Sequence, residues 1–165
     1  MINRNRKKNL NYMIGDGTKI ADGVRIGKNT IINSNVNIYK SCDIGAQSYI
    51  GENCIIGFPT KKELIVSMSK KKLPSTKSKM KIKIGNRVII RPGCIIYSGV
   101  KIGDNVEFGH NALIREKTEI KANSRIGSNV TLDGNIKIGS NVSIQTGAYI
   151  SINSTVETKV FLGPY

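Results

Sequence analysis

Several residue types are scarce in this chain, and each scarcity removes a class of protein. Tryptophan is absent, aromatic residues make up 5%, and there are one histidine and three cysteines among 165 residues. No apolar run approaches membrane-spanning length, and the charged N-terminal residues are followed by no apolar stretch, so we expect neither a membrane partner nor a secretory signal. These features predict a cytoplasmic protein with an aliphatic core.

Acidic residues are also few, with 11 Asp and Glu against 26 Lys and Arg and a net charge of +15. The excess is uneven, because residues 1–9 hold four basic residues and residues 58–83 hold nine Lys and one Glu. A nucleic-acid-binding surface needs a contiguous basic face, preferably with stacking aromatics. The remaining sequence predicts no such face, so we expect no nucleic-acid partner.

An apolar residue recurs every six positions along most of the chain. The spacing holds without a slip from residue 14 to residue 56, is interrupted, and resumes from residue 84 to residue 162. Glycine often follows the apolar residue, and a small or β-branched residue stands four places after it. The apolar positions are Ile14, Ile20, Ile26, Ile32, Ile38, Ile44, Ile50, Ile56, Ile84, Ile90, Ile96, Ile102, Phe108, Ile114, Ile120, Ile126, Leu132, Ile138, Ile144, Ile150, Val156 and Leu162.

A repeat of six residues is too short for a helical repeat, and its β-branched content favours strands. We predict a short strand and a bend in each unit, with the aliphatic residue inward and glycine or asparagine at the bend. Three units would make one coil of 18 residues. The sequence therefore predicts an all-β fold, a parallel β-helix shaped as a triangular prism of about seven coils.

The units of the form Ile-Gly-x-x-Val/Thr/Ser-x resemble the hexapeptide repeat of the left-handed β-helix acyltransferases over nearly all of residues 12–165. The resemblance implies a left-handed coil and transfer of an acetyl group from acetyl-CoA. The segment Val142-Ser-Ile-Gln-Thr-Gly-Ala-Tyr-Ile150 is most similar to the branch that acetylates sugars and nucleotide sugars. It implies an amino group or hydroxyl of such a sugar as acceptor, and a homotrimer with active sites at the subunit interfaces.

The chain divides into a basic N-terminal tail, residues 1–11, and a single β-helix domain, residues 12–165. Residues 58–81 cannot be threaded through hexads, so we predict a basic loop that leaves the prism there. Long loops in compact domains are usually functional or disordered. Two interpretations stay open: a solvated insertion, or a loop whose Lys70, Lys71 and Lys72 approach an anionic ligand, in the same subunit or a neighbouring one.

His110 is the single histidine, two places after the inward Phe108, so we expect it at a bend and pointing outward. Histidine side chains exchange protons near neutral pH. The resemblance implies that His110 is the general base that deprotonates the acceptor as it attacks the thioester. Glu116 is the nearest carboxylate that could orient the imidazole, with Glu107 as the alternative, although either could equally be a plain surface charge.

The 18-residue coil predicts that Pro92, Ser128 and Thr146 stack with His110, and their small side chains would leave a trough along the prism edge. The resemblance implies that the pantetheine arm of acetyl-CoA lies in such a trough, bound mainly through backbone groups. The residues expected to line it are Gly127, Ser128, Thr146, Gly147 and Ala148.

Arg91 and Arg115 lie near His110, the first by coil spacing and the second by sequence, and Asn111 follows it directly. Guanidinium groups suit bidentate recognition of carboxylate or phosphate. We predict that these three residues bind the acceptor, for which an acidic or nucleotide-linked sugar is suitable.

A metal site is not expected. The γ-class carbonic anhydrases share the prism but need three His around zinc, which a single histidine cannot supply. The cysteines, Cys42, Cys54 and Cys94, all fall at the small-residue position of their hexads and are interpreted as buried space fillers. The remaining alternative to an acetyl-CoA-dependent enzyme without a metal is a β-helix scaffold subunit that has no catalytic activity.

Overall fold

The computed structural model describes residues 11–39, 41–71 and 80–164. In these residues the chain forms strands β1 to β22, one in each hexad, and a single helix, α1. Successive strands belong to three different sheets, so every third strand returns to the same sheet. The chain is therefore a left-handed parallel β-helix, which confirms the predicted fold class.

The three sheets are the three faces of the prism. Sheet A contains β1 (Met13–Ile14), β4 (Ile31–Ile32), β7 (Tyr49–Ile50), β10 (Ile89–Ile90), β13 (Glu107–Phe108), β16 (Arg125–Ile126), β19 (Ser143–Ile144) and β22 (Phe161–Leu162). Sheet B contains β2 (Lys19–Ile20), β5 (Asn37–Ile38), β8 (Ile55–Phe58), β11 (Ile95–Tyr97), β14 (Leu113–Ile114), β17 (Thr131–Leu132) and β20 (Tyr149–Ile150). Sheet C contains β3 (Arg25–Ile26), β6 (Cys42–Ile44), β9 (Ile82–Ile84), β12 (Lys101–Ile102), β15 (Glu119–Ile120), β18 (Lys137–Ile138) and β21 (Thr155–Val156).

The pairing register stacks equivalent hexad positions on successive coils. Phe108 pairs with Ile126, and Ile126 pairs with Ile144, each 18 residues further along the chain. Across the interruption the offset is larger, since Ile50 pairs with Ile90. The interruption therefore inserts residues between two coils without shifting which side chains face inward.

The core is a column of aliphatic side chains along the prism axis. The inward residues are buried in every coil from Ile32 to Ile144, and the small residues four places after them fill the space at the corners. All three cysteines are buried there as free thiols, as predicted. Burial is the main cause that raises the pKa of the Cys42 thiol to about 12, so this group stays protonated and packs as a small hydrophobe.

The bends depend on residues that accept left-handed backbone angles. The third residue after the inward one has a positive φ in most coils, and Asn is the commonest non-glycine residue there, as at Asn105 and Asn129. Asparagine tolerates this region better than other L-residues. The Asn side chains also bridge coils, because the amide of Asn105 donates to Asn123 (2.9 Å) and that of Asn135 to Asn153 (2.7 Å).

The predicted loop over residues 58–81 contains a helix that was not expected from the sequence. Helix α1 (Lys61–Ser69) begins at a capping box, in which Thr60 and Glu63 bond to each other's backbone N–H groups. The hydroxyl of Ser98 donates to the same Glu63 carboxylate (3.1 Å), which attaches the start of α1 to the prism. Lys70 and Lys71 are exposed after the helix, whereas Lys72 lies outside the described residues.

The chain returns to the prism beside a charged cluster on sheet C. Asp43 pairs with Arg25 on the coil before it and with Lys81, just before β9. The hydrogen bond from Arg25, helped by Lys81, lowers the pKa of the Asp43 carboxyl to about 2.

Among the described residues no helix is long and apolar enough to cross a bilayer.

Replacement by valine is expected to change the free energy of unfolding in opposite directions at two buried threonines. Thr118 and Thr30 are both 0% exposed, but the Thr118 hydroxyl has no hydrogen-bond partner, whereas that of Thr30 donates to the Gly45 carbonyl (2.9 Å). We expect Thr118→Val to raise the free energy of unfolding by about 1 kcal/mol because it removes an unpaired buried hydroxyl. Thr30→Val should lower it by a similar amount, since it breaks a bond.

Urea unfolding followed by circular dichroism measures both changes on one scale. A shift of the same sign in the two variants would contradict this account of the corner hydroxyls.

Candidate functional site

His110 lies at the A/B corner, the row of bends that connects strands of sheet A to strands of sheet B. It stacks as predicted: the N–H of Asn111 donates to the Pro92 carbonyl (3.0 Å), and the N–H of Asn129 donates to the His110 carbonyl (2.8 Å). The N–H of Gly147 then donates to the carbonyl of Ser128 (2.9 Å). The register therefore places Pro92, His110, Ser128 and Thr146 in one row along the corner.

The imidazole of His110 is exposed and makes no hydrogen bond or ion pair to any described residue. Its backbone is firmly held, because its N–H donates to the Ser128 hydroxyl (3.0 Å) and its carbonyl accepts from Asn129. A fixed backbone with an unpartnered imidazole leaves both ring nitrogens available to a ligand.

Glycines allow the coils to approach closely at this corner. A Cβ on Gly109 would lie 2.7 Å from the carbonyl carbon of Gly127 and nearer still to the nitrogen of Ser128. A Cβ on Gly127 would lie 2.6 Å from the nitrogen of Thr146. Contacts this short do not occur for real side chains, so the row next to His110 is a strip of bare backbone.

Two backbone donors on this strip are free. The N–H groups of Ser128 and Thr146 have no acceptor among the described residues. By contrast, the N–H of Gly127 donates to the Ile144 carbonyl (2.8 Å), and those of Gly147 and Ala148 are also used within the coils. Of the five residues predicted to line the cofactor trough, only Ser128 and Thr146 can offer a backbone N–H to a ligand. Ala148 is buried and belongs to the core.

A groove runs beside this strip on the sheet A side of the corner; we call it the A-side groove. Arg91 was predicted to bind substrate, and Arg125 is a cation at the same groove that the sequence reasoning missed. The polar residues that line the A-side groove are Arg91, Glu107, Arg125, Ser128, Gln145 and Thr146. The signal for Arg125 was present, because it is an outward strand residue that pairs in register with Glu107, one coil below.

Glu116 and Arg115 do not lie at this corner. His110 follows β13 of sheet A, whereas both residues follow β14 of sheet B, one side of the prism further along the same coil. The guanidinium of Arg115 donates to Glu116 (3.2 and 3.3 Å) and to Asp133 (2.8 Å). In this chain, therefore, Glu116 does not orient His110, and Arg115 does not join Arg91. Neither Glu107 nor Glu116 bonds to the imidazole.

The corner that holds Arg115 is instead a closed ionic cluster. The Tyr149 hydroxyl donates to the other oxygen of Asp133 (2.9 Å), and the Arg115 guanidinium lies 5.7 Å from the centroid of the Tyr97 ring. The bond from Tyr149 and then that from Arg115 lower the pKa of the Asp133 carboxyl. These side chains bond to one another across successive coils, so the Arg115 guanidinium is already paired with two carboxylates.

Asn111 has a structural reason for its identity. It occupies the left-handed position of its bend, with φ 57°, and its side-chain oxygen lies over Gly93 on the coil below. The same residue type fills this position on most coils. Contact of Asn111 with the acceptor stays a prediction.

Within the described ranges no three His, Cys, Asp or Glu residues lie together as a metal site requires.

Replacement of Gly109 tests the close approach at the corner. We expect Gly109→Ala to destabilise the fold by about 1–3 kcal/mol, because its Cβ must displace the backbone of the next coil. Gly163→Ala is the matched control, since a Cβ there meets nothing within 4 Å. Thermal unfolding measures both, and equal melting temperatures would show that the coils are not packed as described.

Comparison with known proteins identifies the repeat. The family model of the bacterial transferase hexapeptide (six repeats) matches residues 81–116 and 117–151. A search of curated protein sequences finds no match to this chain. The sequence resemblance to hexapeptide-repeat proteins is thus confirmed over residues 81–151, which include His110.

Solved structures share the fold. The UDP-N-acetylglucosamine O-acyltransferase of Moraxella catarrhalis is 19% identical with a TM-score of 0.62, and the alignment covers 90% of this chain and 59% of that protein. The Arabidopsis UDP-N-acetylglucosamine acyltransferase is 19% identical with a TM-score of 0.54, over 90% of this chain and 66% of that one.

A Bacillus cereus protein assigned as an acetyltransferase is 19% identical with a TM-score of 0.50, over 94% of this chain and 80% of its own. At this identity the three similarities establish the architecture, and this chain spans about three fifths of the Moraxella enzyme. The protein is therefore a left-handed β-helix in which residues 81–151 match the repeat of the bacterial transferase hexapeptide family.

Proposed function

We propose that this protein is an acyltransferase that moves an acetyl group from acetyl-CoA to an amino group or hydroxyl of a sugar, with a nucleotide-linked sugar as the acceptor. One observation carries the proposal: the exposed, unpartnered imidazole of His110 stands in the same row as two free backbone N–H groups. A base beside oxyanion donors is the arrangement that acyl transfer needs.

His110 would act first as general base. Its unprotonated ring nitrogen accepts the proton of the acceptor amine or hydroxyl while the acceptor atom attacks the thioester carbonyl carbon. The negative charge that develops on the carbonyl oxygen can be stabilised by the free N–H of Ser128 or Thr146. When the tetrahedral intermediate collapses, the carbon–sulfur bond breaks, and protonated His110 can return the proton to the departing thiolate.

The backbone at the corner supports this role. Because Gly109 and Gly127 lack side chains, a ligand can reach the N–H groups of the next coils without obstruction. The narrow strip suits an extended pantetheine arm, and whichever of the two free N–H groups does not stabilise the oxyanion can donate to an amide carbonyl of the arm. In this proposal Gly127, Gly147 and Ala148 shape the strip but donate nothing to the ligand.

A nucleotide sugar as acceptor is supported by the names of the structural neighbours, and acetyl-CoA as donor by the resemblance that the sequence carries. The matched family is described as a transferase, and the Moraxella and Arabidopsis neighbours are named as acyltransferases of UDP-N-acetylglucosamine. A reaction that uses acetyl-CoA also fits the cytoplasmic location expected from the sequence.

A homotrimer with sites between subunits is supported by the unequal faces of the prism. The outward residues of the lower coils of sheet A are apolar, with Met13 68% and Ile31 41% exposed. Sheet B carries Ile55, Ile95 and Leu113 outward on its middle coils. Sheet C carries a charged outward residue on every strand except β21; these residues are Arg25, Asp43, Lys83, Lys101, Glu119 and Lys137.

Sheets A and B flank the A/B corner and have different apolar surfaces. The apolar surface of sheet A on one copy can therefore pack against that of sheet B on a neighbouring copy. Such a heterologous contact closes into a ring of three prisms when successive copies are related by a rotation of about 120°. Subunit interfaces would then lie beside the A/B corner, where His110 stands, while sheet C faces solvent.

Substitution of His110 tests the proposed chemistry. With acetyl-CoA and a panel of amino sugars and nucleotide sugars, we expect the wild-type protein to release free CoA thiol with its preferred acceptor. His110→Ala should lower kcat about 10²- to 10⁴-fold, because the general base is lost, with little change in the KM for acetyl-CoA.

Ser140→Ala is the matched control, since Ser140 holds the position of His110 at the bend between sheets C and A. A wild-type rate in His110→Ala would remove His110 from the chemistry. Absence of CoA release with every acceptor, in a protein that still forms the trimer, would favour the non-catalytic scaffold.

A further inference from the structure

The A-side groove contains two arginines whose guanidinium groups have no partner among the described residues. The other described arginines are engaged: Arg25 with Asp43, Arg87 with Asn105 at 2.6 Å, and Arg115 with Glu116 and Asp133. Arg91 and Arg125 line one groove and bond to no described side chain. Among the arginines that the structure describes, this pair is therefore the exception.

The positions of the two arginines follow from the coil register. Arg91 directly follows inward Ile90 at the corner, and Arg125 directly precedes inward Ile126 on the outer side of sheet A, two coils later. Strand β13 lies between them in the sheet, so Glu107 and Gly109 separate their backbones. The groove therefore has a cation on each side and bare backbone at Gly109 between them.

Glu107 sets a limit on what the groove can bind. It pairs in register with Arg125, yet no ion pair forms between their side chains. The polar lining thus carries two positive charges and one negative charge, a combination that favours one anionic group with a hydrogen-bond donor beside it. A sugar that bears a phosphate or carboxylate presents both, because its hydroxyls can donate to Glu107.

The size of the groove fits one such group. Its volume is about 130 Å³, well above the roughly 10–15 Å³ that one water molecule needs by the same measure. This is enough for a phosphate or carboxylate group.

We propose that the A-side groove binds the oxyanion of the acceptor, a phosphate or a carboxylate, between Arg91 and Arg125, with Glu107 accepting from a neighbouring sugar hydroxyl. The groove adjoins Ser128 and Thr146, so an acceptor anchored there has its reactive end beside the His110 row. Arg125 then determines specificity for anionic acceptors. This inference rests on the proposed acyl transfer for the identity of the ligand, but the binding can be tested without turnover.

Equilibrium binding is measured by isothermal titration calorimetry with inorganic pyrophosphate and, separately, with glucuronate. Both titrations use 150 mM NaCl, where weak attraction to the +15 protein as a whole is largely screened. We expect the wild-type protein to bind at least one probe and Arg91→Gln/Arg125→Gln to bind it at least tenfold more weakly, because two charge-assisted bonds are lost.

The matched control is Lys83→Gln/Lys137→Gln, which removes the same charge from the outward side of sheet C and should bind like the wild type. Binding of pyrophosphate identifies a phosphate as the bound group, and binding of glucuronate alone identifies a carboxylate. Equal loss in both double variants, or no binding by the wild-type protein, would overturn the proposal.

A kinetic measurement separates this inference from the proposed function. Arg125→Gln should raise the KM for an anionic acceptor at least tenfold, leave the KM for acetyl-CoA unchanged, and affect neutral acceptors little. A rise confined to acetyl-CoA would assign the groove to the donor and refute the acceptor site. If His110→Ala keeps its activity while Arg91→Gln/Arg125→Gln no longer binds the probe, the proposed role of His110 is wrong and the proposed anion site is retained.

Discussion

The parallel hydrogen-bond register between successive coils is the constraint on which the rest of this structure depends. Outside the interruption, each coil bonds to the next with an offset of 18 residues, so chemically equivalent positions form straight rows along the prism. The inward row must be apolar, the corner row must fit between backbones, and the left-handed row is filled mostly by Asn and Gly. Only the outward strand positions and the exposed bend positions are free to carry function.

The candidate site uses those free positions. His110 occupies an exposed bend position, Arg125 and Glu107 occupy outward strand positions, and Gly109 and Gly127 keep the coils close enough to expose backbone N–H groups. The same constraint explains the difference between the two corners. At the bend that holds Arg115, facing rows carry acids and a tyrosine that close an ionic cluster, whereas the A/B corner leaves its charged groups unpaired.

The hexad period was enough to predict a parallel β-helix and the row of Pro92, His110, Ser128 and Thr146, because both follow from counting; the left-handed coil came from the family resemblance. The prediction that Arg115 and Glu116 lie beside His110 was based on their nearness in the sequence. In this fold six residues span one whole side of the prism, whereas residues 18 apart are in contact, so nearness in the sequence is misleading. Helix α1 was missed because it has no hexad pattern, although Thr60 and Glu63 carry the spacing of a capping box. Arg125 could have been found from the register alone.

The central claim is that a ligand binds along the A/B corner through the backbone of Ser128 and Thr146. Amide chemical shifts of the ¹⁵N-labelled protein during titration with acetyl-CoA test it most directly, because every N–H reports separately. The account predicts the largest shifts at Ser128, Thr146 and His110, with Lys83 and Lys137 on sheet C unchanged. Shifts centred on sheet C, or on the corner that holds Arg115, would contradict it.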